Sequence, residues 1–139
     1  MSPVRIQLRR TKGWRKPAGA IVVSRPSKWG NPYRVGSCSR VECYDKRQHW
    51  HAYDNAGNSS GCYTERRWAA ECAVNLYSVR ALGPALCLAV FEELQGHDLA
   101  CWCPLTNDDG SRFPCHADYL LGLADGPRRM RESVAELLS

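Results

Sequence analysis

Residues 98–120 read DLACWCPLTNDDGSRFPCHADYL. Asp98–Cys103 has the short apolar character of a strand. Asp108, Asp109 and Gly110 are turn chemistry, and Pro114 stands directly before a helix expected from Cys115 to Leu123. A strand that runs into a loop and then a helix is a building unit of mixed α/β domains.

Outward from that stretch the same alternation continues. Ala85–Gln95 reads as an amphipathic helix with Leu86, Val90 and Leu94 on one stripe and Gly96 as its stop. Glu65–Arg80 reads as another, carried by Trp68, Cys72, Leu76 and Val79 and broken by Gly83 and Pro84. Within 34–64, HWHAYD, NAGN and SSGCYTE suggest a hairpin around a Gly-containing turn. Pro3–Leu8 alternates Val4, Ile6 and Leu8 against polar neighbours, as a strand does, and Gly19–Ser24 reads as a buried strand. Between them 11–19 is a basic, turn-rich loop. Arg25–Tyr33, RPSKWGNPY, is a loop because two prolines and a Gly-Asn pair forbid a helix. The expected fold is α/β: a single compact domain over 1–126, with a small mixed sheet flanked by about three to four helices. A Rossmann-like three-layer arrangement is one form of it. A C-terminal helix is expected within 127–139, at 128–138.

The chain of 139 residues is long enough to bury a core without disulfide staples. No window approaches the roughly 18 apolar residues of a membrane span, and the basic start carries no apolar leader segment. The expectation is a cytoplasmic protein with no membrane partner, in which clustered thiols mean metal or chemistry more often than disulfides. The net charge is +5. Residues 1–34 hold all of nine Lys and Arg and no Asp or Glu. Such a segment attracts phosphate, and Trp14 and Trp29 among the charges suit stacking on bases.

Both informative loops leave carboxyl ends of expected strands, where α/β folds place ligands. In RPSKWGNPY, Arg25 offers a planar fork, Lys28 a point charge, Trp29 a stacking face and Asn31 both a donor and an acceptor, an inventory suited to a nucleotide. A rigid turn with Trp29 in the core is the structural alternative. In the second loop, Cys101 and Cys103 lie two apart on a strand and share a face. Cys115 sits at a helix start that favours thiolate, with His116 beside it. Cys101, Cys103, Cys115 and His116 supply the ligand types of tetrahedral zinc, although C-x-C is not the usual knuckle spacing. The same residues also read as a catalytic thiol, Cys115, with His116 or Asp118 as proton partner, or as buried small side chains with His116 capping the helix. Cys38, Cys43, His49, His51 and Cys62 form a weaker candidate for a second zinc.

KGWRKPAGAIVVSRPSKWGNPY (Lys12–Tyr33), GHDLACWCPL and PCHADYLL (within Gly96–Leu121) resemble, in order, the motifs of DUF4326, a family of small bacterial and phage proteins. The resemblance implies an α/β domain and occurrence in actinobacteria and their phages. The loop from Thr106 to Phe113 is longer than the family's usual turn. The functional expectation is an enzyme directed at a nucleotide or nucleic acid, a transferase or hydrolase. Arg25, Lys28, Trp29 and Asn31 would hold ligand, and Cys115, His116 and Asp118 would do the chemistry. The alternatives are a zinc-stabilised nucleic-acid-binding module and a phage or host interaction module without catalysis. The H-x-E…P-C-x-x-C signature of zinc deaminases is absent.

Overall fold

The computed structural model describes residues 3–38, 49–81 and 83–126. Their strands are β1 (Arg5–Gln7), β2 (Ile21–Val22), β3 (Arg34–Ser37), β4 (Trp50–Tyr53), β5 (Ser59–Tyr63) and β6 (Leu99–Cys101). Helix α1 (Arg66–Leu76) widens to a π-helical turn over Tyr77–Ala81, and α2 (Pro84–Ala89) does the same over Val90–Leu94. Helix α3 covers 116–126. The expected helix at 128–138 and residue Cys43 lie outside the described residues.

The strands divide into two sheets. β6 lies between β1 and β2, parallel to both, with Arg5 opposite Leu99 on one side and Ile21 opposite Leu99 on the other. All three residues of β6 are buried, which is why LAC is an unbroken apolar run. Bonds beyond the ladder extend the pairing: the Leu8 amide donates to the Cys101 carbonyl and the Val23 amide to the Ala100 carbonyl, each at 2.9 Å. The second sheet, β3-β4-β5, is antiparallel. Its β4–β5 hairpin turns where NAGN was expected to turn, with Asp54 Oδ1 accepting the Ala56 and Asn58 amides at 2.9 Å. The third strand, RVGS, carries no apolar pattern and was not expected.

Helix α1 lies on the antiparallel sheet through Ala69, Ala70 and Ala73, small side chains that let helix and strands approach closely. The stripe expected for this helix is therefore displaced. Trp68 is exposed under the Arg67 guanidinium, Val79 is 78% exposed, and Tyr77 is the large residue that enters the core. In α2 the expected stripe holds, with Val90 and Leu94 buried and Leu86 packed against them. These side chains join Val23, Leu99, Leu120 and Ala124 in one core between the parallel sheet and the helices. Among the described residues, no single helix is long and apolar enough to cross a membrane.

The Tyr77 hydroxyl donates to the Trp29 carbonyl at 2.8 Å inside this core and ties α1 to the loop after β2. Tyr77→Phe strands that carbonyl in an apolar setting. The expected cost is about 1–3 kcal/mol, read as a lower urea midpoint at unchanged slope. An unshifted midpoint would show that the bond contributes nothing.

Candidate functional site

Because β1, β2 and β6 run parallel, their carboxyl ends open at one edge of the sheet. The loop after β2 folds as two successive turns, with Ser27 N bonded to Ser24 O and Gly30 N to Ser27 O at 3.0 Å. A Cβ on Gly30 would lie 2.5 Å from Arg25 Cγ and 2.9 Å from Arg25 Cα, so only glycine lets the loop close on itself. The Arg25–Pro26 peptide is cis. Asn31 braces the far end: its Nδ2 donates to Ala73 O at 3.0 Å and its Oδ1 accepts the Tyr33 amide at 2.9 Å.

The loop after β6 is held by Arg5, which is 4% exposed. Its Nη2 donates to Pro104 O at 3.0 Å and Leu105 O at 3.1 Å, and its Nη1 lies 3.3 Å from Asp118 Oδ2. The chain then doubles back through a Thr106–Arg112 bridge to Cys115, whose sulfur caps α3 by accepting the Ala117 amide at 3.4 Å. His116 Nε2 lies 2.8 Å from the Val23 carbonyl. A carbonyl only accepts, so Nε2 carries the proton, and in the neutral ring Nδ1 is left as the acceptor. That Nδ1 lies 3.8 Å from Cys115 Sγ.

The sulfurs of Cys101, Cys103 and Cys115 all lie within 4.8 Å of one another and can hold a metal ion. Cys101 and Cys103 are 3.8 Å apart. Tetrahedral zinc with sulfurs at about 2.3 Å requires sulfur–sulfur separations of about 3.8 Å. His116 is not part of this group, contrary to the four-ligand set expected from sequence. The Val23 carbonyl fixes its ring against the strand end, and its free nitrogen meets Cys115. In the metal-free cluster Cys103 and then Cys115 donate to the Cys101 sulfur. These bonds outweigh burial and bring its pKa from 9.0 down to about 3. Cys103 is pushed up, first by Cys101 and then by Cys115, because a second thiolate would face the first. The cysteines among the described residues are free thiols.

A cleft of about 350 Å³ opens above these sulfurs. Its walls include Arg25, Asn31, Tyr33, Arg34, Arg66, Trp102, Phe113 and His116, and among the described residues no carboxylate lines it. Arg66 lies over the Phe113 ring at 5.1 Å and the Trp50 ring at 5.9 Å. Burial and the neighbouring Arg34 charge both lower the pKa of Arg25, and Cys101 opposes them. Among the described residues, Arg25 and Arg34 have no acidic partner, whereas Arg5, Lys28, Arg67 and Arg112 are all ion-paired.

The two loops read from sequence thus meet, though not through every residue expected. Trp29 is 4% exposed and packs in the core, so its ring is not offered for stacking. Lys28 turns away to Glu93 at 2.7 Å and covers the Trp29 ring. Asp118 does not line the cleft: Arg112 holds it at 2.5 Å and Arg5 at 3.3 Å, as a carboxylate near the start of α3. Of the second zinc candidate, Cys38 and His49 are buried and adjacent, with the His49 amide on Cys38 Sγ at 3.2 Å, while Cys62 is exposed. His51 Nδ1 lies 2.7 Å from Ser59 Oγ. Arg5, Arg34, Arg66 and Trp102 were not singled out from sequence. Arg34 had a signal, since it follows RPSKWGNPY directly; the others are placed by tertiary contacts alone.

Fold and site define an α/β domain with a cysteine-floored, arginine-walled cleft able to hold a metal ion. The chain belongs to the DUF4326 family, a domain of unknown function, whose model matches residues 6–126. No curated protein and no solved structure matches the chain.

The thiol arrangement sets a pH dependence. Below the ordinary thiol pKa the unfolded chain takes up a proton that native Cys101 does not. The stability this thiolate confers on metal-free protein therefore falls as pH drops from 9.0 toward about 3. Thiolate ultraviolet absorbance of the folded, chelator-treated protein is expected to persist at neutral pH and to titrate away only near pH 3. Its absence at neutral pH would remove the shared-proton arrangement.

Proposed function

We propose that this protein is an enzyme acting on a nucleotide, free or within nucleic acid. Arg25 and Arg34 hold the phosphate, and Cys101, Cys103 and Cys115 hold a zinc ion on the floor of the same cleft. One observation carries the reading: two guanidinium groups without acidic partners among the described residues and three convergent sulfurs face one cavity. Like charges gathered in a cleft are a standing cost that an anionic ligand removes. Guanidinium forks match phosphate oxygens in pairs. Arg66, stacked on Phe113 and Trp50, adds positive charge at the first turn of α1, where the helix dipole already favours an anion.

Three protein ligands leave one zinc position for water or substrate, the arrangement of catalytic zinc, and a bound zinc ion supplies an activated water there. The chain's own proton carriers at the cleft are Tyr33 and His116, whose Nδ1 is the acceptor of the neutral ring because Nε2 donates to Val23. The same nitrogen supports a second reading. With no metal bound, His116 can take the Cys115 thiol proton and leave a nucleophilic sulfur.

Elemental analysis of purified protein is expected to give about one zinc per chain, lost in Cys101→Ser and Cys103→Ser. Nucleoside monophosphates are expected to raise the melting temperature. Arg25→Ala with Arg34→Ala should abolish that shift, corresponding to an affinity loss of at least about tenfold. Nucleotide stabilisation without metal would favour the thiol reading. Zinc whose removal unfolds the chain, with no nucleotide effect, would mark a structural metal and overturn the enzyme.

A further inference from the structure

The third parallel strand brings its own loop to the cleft. β1 ends beside β6, so the chain leaves Leu8 next to Cys101 and runs on as an exposed basic segment. Arg9, Arg10, Lys12 and Arg15 are exposed, and none has an acidic partner among the described residues. The segment has a defined course. Trp14 N bonds Thr11 O at 3.0 Å around Gly13 at φ 87°, Lys16 Nζ donates to the Ala20 carbonyl, and His97 Nδ1 lies 3.1 Å from Gly19 O. Arg10 reaches back to the cleft, its guanidinium 5.0 Å from the centre of the Trp102 ring. Trp102 lines the cleft and is still 45% exposed.

We propose that Trp102 and the basic segment 9–15 form a platform for single-stranded nucleic acid, presenting one nucleotide of the strand to the cleft. This rests on the reading of the cleft as a nucleotide site. A wide indole face at a pocket mouth, with Arg10 against it and a basic segment leading to it, matches how proteins hold unpaired strands: bases stack on aromatic rings while Lys and Arg follow the phosphates. A cleft of about 350 Å³ whose floor is sulfur admits a nucleotide taken out of a stack, and a single strand offers one without the cost of unpairing. Trp102 would stack the neighbouring base and Arg10 would take the intervening phosphate.

Fluorescence anisotropy with a labelled single-stranded oligonucleotide, the matching duplex, and thermal shift with a nucleoside monophosphate together test this on the intact protein. The strand is expected to bind tighter than the duplex. Trp102→Ala should weaken strand binding about 5–100-fold, with Trp102→Phe restoring most of it. Arg9→Ala, Arg10→Ala, Lys12→Ala and Arg15→Ala combined should flatten the slope of log affinity against log salt by about 2–3. Equal strand affinity in wild type and Trp102→Ala, or a duplex bound as tightly as the strand, overturns the platform. Stabilisation by the monophosphate with no tighter strand binding also overturns it, and leaves the cleft reading standing. Failure of both ligands overturns both.

Discussion

Strand β6 is bonded in parallel on both of its edges, and that ladder is the constraint on which the rest depends. Three residues, Leu99, Ala100 and Cys101, hold β1 on one side and β2 on the other. Parallel neighbours cannot be joined by tight hairpins, so the chain must make a long excursion between β2 and β6. The antiparallel sheet, α1 and α2 are that excursion. The ladder also decides where chemistry is located. It brings the carboxyl ends of β1, β2 and β6 to one edge, so that Gln7, near the start of the chain, lies opposite Cys101. The cysteines, the arginines and the basic segment share a neighbourhood for this reason and not because of any sequence proximity.

Charge is sorted with the same economy. Cations that shape the loops are neutralised: Arg5 and Arg112 on Asp118, Arg67 on Asp109, Lys28 on Glu93. Asp109 is itself held low, to about 2, first by the Ser111 hydroxyl and amide and then by Arg67. Asp109 and Ser111 are exposed and Arg67 is only half-buried, so this pair orients the long loop more than it stabilises the fold. Among the described residues, Arg25, Arg34 and Arg66, which face the cleft, have no such partner. Two arginines also occupy the first turn of α1, the end at which the helix dipole disfavours them by about 0.3–1 kcal/mol each.

Much of this was legible before the coordinates, and the failures have identifiable causes. Period-two alternation in PVRIQL, the apolar runs GAIVVS and DLACWC, and the NAGN turn located five of the six strands. RVGS pairs as a strand because its neighbour Trp50–Tyr53 offers an edge, which no local pattern announces. Trp68 misled because an aromatic at helical spacing is normally buried, yet α1 approaches its sheet through alanines and leaves the ring outside. Within RPSKWGNPY the residue types pointed to a ligand loop, but the division of labour was inverted. Trp29 builds the core and Gly30 yields room to Arg25, so Arg25 and Asn31 are the residues of this loop that line the cleft. The indole that does face the cleft is Trp102, in the other loop, at the bend just past the end of β6.

The Cys101 sulfur accepts from its neighbours, which favours its thiolate, while Cys103 resists ionisation beside it. A divalent ion bound by all three as thiolates would displace the protons they carry and leave the cluster with a single negative charge. The charge of Arg25 is favoured by Cys101. His116 Nδ1, fixed toward Cys115 by the bond from Nε2 to Val23, is the adjacent acceptor through which one of those protons can leave.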